Sequence, residues 1–234
     1  MAQQTLDPPE SPPRRGRGLT FWAGTALIVA GLVVLGYVAW QMYGTTVVSH
    51  RKQQSIVAET ERLWNRPDPD GKTAGTEKKE SLKGAEALVR IPKFGKDYVV
   101  PVQEGVTDQV LSEGFGRFPS SVKPGQVGNY AIAAHRVTHG EPLRHMPDLR
   151  PGDRVVVETR NKVFTYRLDT DPNKLIVTFK DVWVIDPLPR NPDGGVQPSQ
   201  EPGQKLITLT TCSELFHTDN RMIAFGHLVK TEPR

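Results

Sequence analysis

Leu206-Ile207-Thr208-Leu209-Thr210-Thr211-Cys212 decides how this chain is read. From Leu206 to Leu209 apolar residues lie at alternate positions with threonines between them, the pattern of a buried β-strand. The strand carries the only cysteine in the chain to its far end. Ser213 to Asn220 is then a polar loop, and Arg221-Met222-Ile223-Ala224-Phe225-Gly226-His227-Leu228-Val229 reads as a second strand. If the two pair, Cys212 and Arg221 stand at the two mouths of one connection, facing one cleft. A lone thiol is a buried hydrophobe, an intermolecular bridge or a nucleophile.

Working outward, Gly128-Asn129-Tyr130-Ala131-Ile132-Ala133-Ala134 is a strand of mostly small residues that runs straight into His135. Two strands that bring a thiol and an imidazole to one rim make a nucleophile and its proton partner; the rival reading is a structural rim histidine. His217 is nearer to Cys212 along the chain, but sits in the polar loop. His135 and His139 have the i, i+4 spacing of helical zinc ligands. The strand ends at His135 and no Glu follows it, so no metalloprotease helix is expected, and no metal or cofactor.

The rest of the second half is also β in pattern. Ala87–Ile91 and Asp97–Val102 read as strands, the second bent or edge-placed by Pro101. Thr107 to Gly114 reads as a short helix with Thr107 and Gly114 as its caps, and Pro142–Met146 as another. Arg154–Glu158 and Val163–Leu168 form a hairpin, and Leu175–Ile185 adds strand. Asp186–Gly203, with five prolines, is a long loop. Many short strands and few helices predict a mainly β fold, a closed or nearly closed barrel. There is no internal repeat.

The first half is built differently. Leu19 to Trp40 is a run of 22 residues without a charge, about 33 Å as a helix and enough for a bilayer core of roughly 30 Å. Trp22, Tyr37, Trp40 and Tyr43 lie near its ends, as interfacial aromatics do. Arg14, Arg15 and Arg17 precede it, which predicts a cytoplasmic N-terminus and an extracellular bulk. A cleavable signal peptide would have a shorter apolar region and a small-residue cleavage site, so a retained anchor is expected. The predicted organisation is a disordered tail (1–18), a transmembrane anchor (19–43), a stalk and flexible linker (44–84), a catalytic domain (85–231) and a short tail (232–234). The formal charge is +4, but residues 85–234 carry 19 basic and 18 acidic side chains. With no basic face interleaved with aromatics, nucleic acid is not an expected partner.

Thr208-Leu209-Thr210-Thr211-Cys212 with Arg221 downstream resembles the Thr-Leu-x-Thr-Cys…Arg signature of the sortases. Asn129 to His135 resembles their strand ending in the catalytic histidine, and Arg90-Ile91-Pro92-Lys93-Phe94-Gly95 and Val99 to Gly105 their opening strands. Order and spacing agree over roughly residues 85–231. His135 to Leu143, together with the single anchor, is most like class E, the housekeeping enzymes of high-GC actinobacteria. One departure is Ala134, where many relatives carry Gly.

The resemblance implies an eight-stranded barrel and a transpeptidase. Cys212 would cleave a Leu-Ala-x-Thr-Gly or Leu-Pro-x-Thr-Gly sorting signal between Thr and Gly through a thioester. His135 would move protons and Arg221 would hold the substrate or its oxyanion. The acceptor would be a peptidoglycan amine on a lipid-linked precursor, and the donors secreted proteins bearing the signal. Carried over position by position, Thr211 and Ala133 would contact the signal, with Tyr130 and Tyr98 as further candidates. The loops Asp186–Gly203 and Pro119–Gly128 would shield the thioester. A pilin polymerase of the same family and a non-catalytic β-barrel adaptor are the alternatives.

Overall fold

The computed structural model describes residues 18–40, 44–66, 84–213 and 219–234. The expectations for the N-terminal tail, for the linker over 67–83, and for Tyr43 and His217 lie outside these residues. The chain divides into two units, residues 1–41 and 42–234. The first contains helix α1, Leu19–Ala39. Its stretch Phe21–Val38 is long and apolar enough to cross a membrane, and none of it is buried against protein.

The second unit contains a nine-stranded sheet: β1 (Ala87–Arg90), β2 (Val100–Glu104), β3 (Phe115–Arg117), β4 (Gly128–Ala133), β5 (Arg154–Glu158), β6 (Lys162–Leu168), β7 (Ile176–Thr178), β8 (Lys205–Cys212) and β9 (Asn220–Pro233). Eight of them close in the order β6-β5-β1-β2-β3-β4-β8-β9, because β9 pairs back onto β6. The short β7 lies outside this ring, on the part of β9 next to the Cys212 end. Closure leaves the ring no exposed edge. It requires close approach at Gly226, where a Cβ would stand 2.5 Å from the Arg167 carbonyl oxygen of β6.

Alternation along each strand sorts residues into two faces. Val89, Val102, Phe115, Tyr130, Ile132, Ile207, Leu209 and Ala224 point inward and form the barrel core. Ile223 and Phe225 point outward, where Leu175 and Val184 cover them. Between β2 and β3 the short helix α3, Asp108–Glu113, starts at Thr107, whose side chain accepts the Val110 N–H, and ends at Gly114.

Several elements differ from their sequence expectation. Only Ile176–Thr178 of the stretch 175–185 is strand, and Val182–Ile185 is a 3-10 turn laid over the outer face. The short helix expected at Pro142–Met146 is a 3-10 helix at Met146–Asp148. The stretch expected as a stalk is helical. Residues Thr45–Trp64 form helix α2, which packs on the barrel. Val57 of α2 is buried with Ala85 and Leu88, and Thr60 Oγ1 accepts the Ala85 N–H at 2.9 Å. Lys52 and Glu61 form ion pairs with Glu113 and Arg90, at 2.6 and 3.3 Å. The apolar pattern of α2 is sparse because much of its docked face is polar, including buried Ser49, Gln53 and Thr60.

Gly226→Ala tests the closure. The added methyl group meets backbone that cannot rotate away, so the variant is expected to lose about 2 kcal/mol, read as a lower midpoint in urea denaturation.

Candidate active site

Three adjacent strands of the ring build the site, and pairing register fixes its geometry. β4 and β8 run parallel with Ala133 opposite Thr210, so the chain reaches His135 and Cys212 at the same level, two residues further on. β9 runs antiparallel to β8 with Arg221 opposite Cys212. The central strand therefore carries the thiol, with the imidazole on one flank and the guanidinium on the other. Neighbouring strands lie about 4.8 Å apart, so the three groups fall within one short stretch of rim.

Face parity adds a second constraint. Thr210 lies opposite Ile223 and Thr211 opposite Met222. Ile223 belongs to the outer cluster and Met222 to the core. Thr210 and Cys212 thus project outward, as do their register partners Ala133 and Arg221, and His135 shares the parity of Ala133. The site opens on the outside of the barrel wall at one end of β8, and Cys212, His135, Ala133 and Arg221 are all partly exposed there.

The family model described as Sortase domain matches residues 89–229. The chain belongs to the sortase family. Sortase SrtE1 of Streptomyces coelicolor is 33% identical over 221 residues, 90% of this chain, while the chain spans only 57% of that relative's length. The solved sortase E of Streptomyces avermitilis is 37% identical, with a TM-score of 0.54 over 64% of this chain and 90% of that one. Sortase E1 of S. coelicolor, solved with a tripeptide in the active site, is 35% identical, with a TM-score of 0.55 over 64% of this chain and 91% of that one. Within the family this sortase is most like class E.

Not every expected contact residue reaches the rim. Tyr130 is fully buried inside the sortase barrel and belongs to its core; its even position on β4 turns it away from the outer face. Thr211 is 3% exposed, and its hydroxyl donates to the Ala134 carbonyl at 2.7 Å. It staples β8 to β4 beside Cys212. Tyr98 donates its hydroxyl to the Pro142 carbonyl at 2.7 Å and packs edge-on against Phe94, so it braces the chain that follows His135. Burial pushes its phenol well above the ordinary value. Of the two loops expected to shield the site, Pro119–Gly128 leads into the start of β4, at the end away from His135. Asp186–Gly203 does reach the side of the site: its Asn191 and Asp193 line a cleft of about 230 Å³ with Thr178 and Asn220. That cleft includes none of Cys212, His135 and Arg221, so the rim itself remains the candidate site.

Two positioning features were not assigned from sequence. Arg136 donates from Nε to the Cys212 carbonyl at 2.8 Å and from Nη2 to the Ser213 carbonyl at 2.7 Å, clamping the end of β8 to the end of β4. A cation directly after a strand-terminal histidine was the signal available for it. Asn129 and Thr208 form a buried latch on the outer face. The Thr208 hydroxyl donates to Asn129 Oδ1 at 2.8 Å, and Asn129 Nδ2 donates to the carbonyls of Val184 and Asp186 at 3.2 and 3.1 Å. The latch holds the 3-10 turn against the wall that the site shares.

His135 titrates well below an ordinary imidazole, at about 4. Burial is the main cause; the charges of His139 and Arg221 lower it further, and Asp108 opposes them. His135 is therefore neutral near pH 7 and able to accept a proton. Among the described residues, no group of three His, Cys, Asp or Glu side chains is placed to hold a metal ion.

The same shift predicts a stability signature. Between pH 6.5 and 4 the unfolded chain binds a proton at His135 that the folded chain refuses, so this contribution falls as the pH falls. Denaturant midpoints measured across that window should decline less steeply in His135→Gln than in the wild type.

Proposed function

We propose that this sortase is a membrane-anchored cysteine transpeptidase that joins secreted proteins to a cell-wall amine. The observation that carries the proposal is the strand register that sets Cys212 between His135 and Arg221 on one outward face. As sulfur attacks the Thr carbonyl of an extended sorting signal, neutral His135 takes the thiol proton. It returns that proton to the Gly nitrogen as the C–N bond breaks, leaving a thioester on Cys212. An incoming amine then attacks, His135 accepts its proton, and the new amide leaves with the thiol restored.

Arg221 has several fixed donors and no accessible neutral form. It holds the substrate backbone or the tetrahedral oxyanion, a contribution typically of about 3–4 kcal/mol per donor. Ala133, partly exposed on the outward face beside Thr210, is the contact assigned to the apolar part of the signal. The preferred signals are Leu-Ala-x-Thr-Gly and Leu-Pro-x-Thr-Gly, and the natural acceptor is a peptidoglycan amine on a lipid-linked precursor. The arginines before α1 favour a cytoplasmic N-terminus with the barrel outside.

The direct test mixes the enzyme with each fluorescent pentapeptide and a glycine-type amine and identifies products by mass. Acyl transfer to the amine is expected from the wild type and none from Cys212→Ala; absence of transfer from both peptides would sink the reading. Arg221→Lys should lower kcat by about tenfold to a hundredfold, because one ammonium cannot reproduce the guanidinium fork. Near wild-type turnover in that variant would remove Arg221 from the mechanism.

A further inference from the structure

The segment after His135 is a closed loop with two separate restraints. At its base the Leu143 N–H donates to the His135 carbonyl at 3.0 Å, and the Tyr98 hydroxyl holds Pro142. At its tip the Glu141 N–H donates to the Thr138 carbonyl at 3.0 Å. The two residues between, His139 and Gly140, have φ of 54° and 79°, and Glu141 follows at 48°. Positive φ at both central positions is the type I′ pattern, which a histidine adopts far less readily than glycine or asparagine. The turn sets the His139 ring against that of His135, with centroids 4.8 Å apart and planes at 30°.

Something outside the loop must hold so unfavourable a tip, and helix α2 supplies it. Gln53 is 4% exposed, and its Nε2 donates to the His139 carbonyl at 3.2 Å. The approach is close enough that a Cβ on Gly140 would lie 2.5 Å from that nitrogen. Lys52, Thr60 and Glu61 fix the helix itself to the barrel through Glu113, Ala85 and Arg90.

We propose that Gln53 is a positioning residue for the catalytic histidine: its side-chain amide holds the His139–Gly140 turn, and the turn sets His135 beside Cys212. The catalytic consequence rests on the transpeptidase reading above. The charged groups that act on His135 are His139 from its own loop, Asp108 from α3 and Arg221 from β9, and the strand register brings Cys212 of β8 to the same rim. Releasing the turn withdraws His139 and admits water, and both changes raise the pH at which His135 titrates.

The test uses the full chain in detergent. Gln53→Met keeps the length and helix preference of the side chain while removing its donor; Gln53→Ala is the second variant should the first fail to fold. Three quantities are measured: kcat and KM with the sorting peptide, the thermal midpoint, and the titration of His135 by C2–H exchange and mass spectrometry. Trypsin cuts after Arg136, so His135 and His139 fall on different peptides. The expected result is a kcat lower by about tenfold with KM within about twofold, and a His135 midpoint raised by about half a pH unit or more. A folded variant with a lower thermal midpoint but unchanged kcat and His135 titration would overturn the proposal, because Gln53 would then only anchor the helix. If the wild type transfers no acyl group, the transpeptidase reading fails separately. The exchange titration still decides the positioning role, and an unmoved midpoint overturns it.

Discussion

The parallel pairing of β4 with β8 is the constraint on which the rest of this protein depends. It sets Ala133 opposite Thr210, so that His135 and Cys212, each two residues further along, reach the same end of the barrel. Hydrogen bonds across the pair reinforce that level: Thr211 to the Ala134 carbonyl from β8, and Arg136 to the Cys212 carbonyl from β4. Side-chain period is two, so a slip of one residue would turn Cys212 into the core and bring Thr211 to the surface. A side chain at a strand end held on both edges is placed more accurately than one on a free loop.

Much of this was legible in the sequence because the signals were local. β8 announces itself by alternation, β4 by small residues running into His135, β9 by the apolar run after a polar loop, the β5–β6 hairpin by its spacing, and α3 by Thr107 and Gly114 at its ends. The three residues assigned to the chemistry lie on strands read from the sequence, or directly after them. Elsewhere the deciding information was not local. β3 is three residues long and exists only through its neighbours on both sides. The apolar run at 175–185 has the composition of a strand, but it caps the outer face of β8 and β9 instead of joining the ring. Tyr130 and Thr211 each lie on the right strand and on the wrong face, a distinction that needs the register of both partners.

The docking of helix α2 illustrates a different kind of concealment. Its partly exposed pair Glu61–Arg90 contributes little by itself, about 0–1 kcal/mol. Burial of Val57 against Leu88 and the buried Thr60–Ala85 bond stabilise the docked helix more. A docked face that includes serine, glutamine and threonine escapes a search for apolar periodicity, since its partners are backbone groups of another element. The segment that follows α1 in the chain is consequently part of the same unit as the barrel, with only seventeen residues, 67–83, between its end and the first residues of the barrel described.

The distance along the polypeptide between the groups that meet at the rim has a kinetic consequence. The Thr211–Ala134 and Arg136–Cys212 bonds join residues 77 and 76 positions apart. Such pairings incur a large loop-closure entropy before any contact repays it, and parallel ones form slowly. The newly made chain therefore holds Cys212 and His135 apart until β4 and β8 have paired, so the rim is among the last parts of the barrel to assemble.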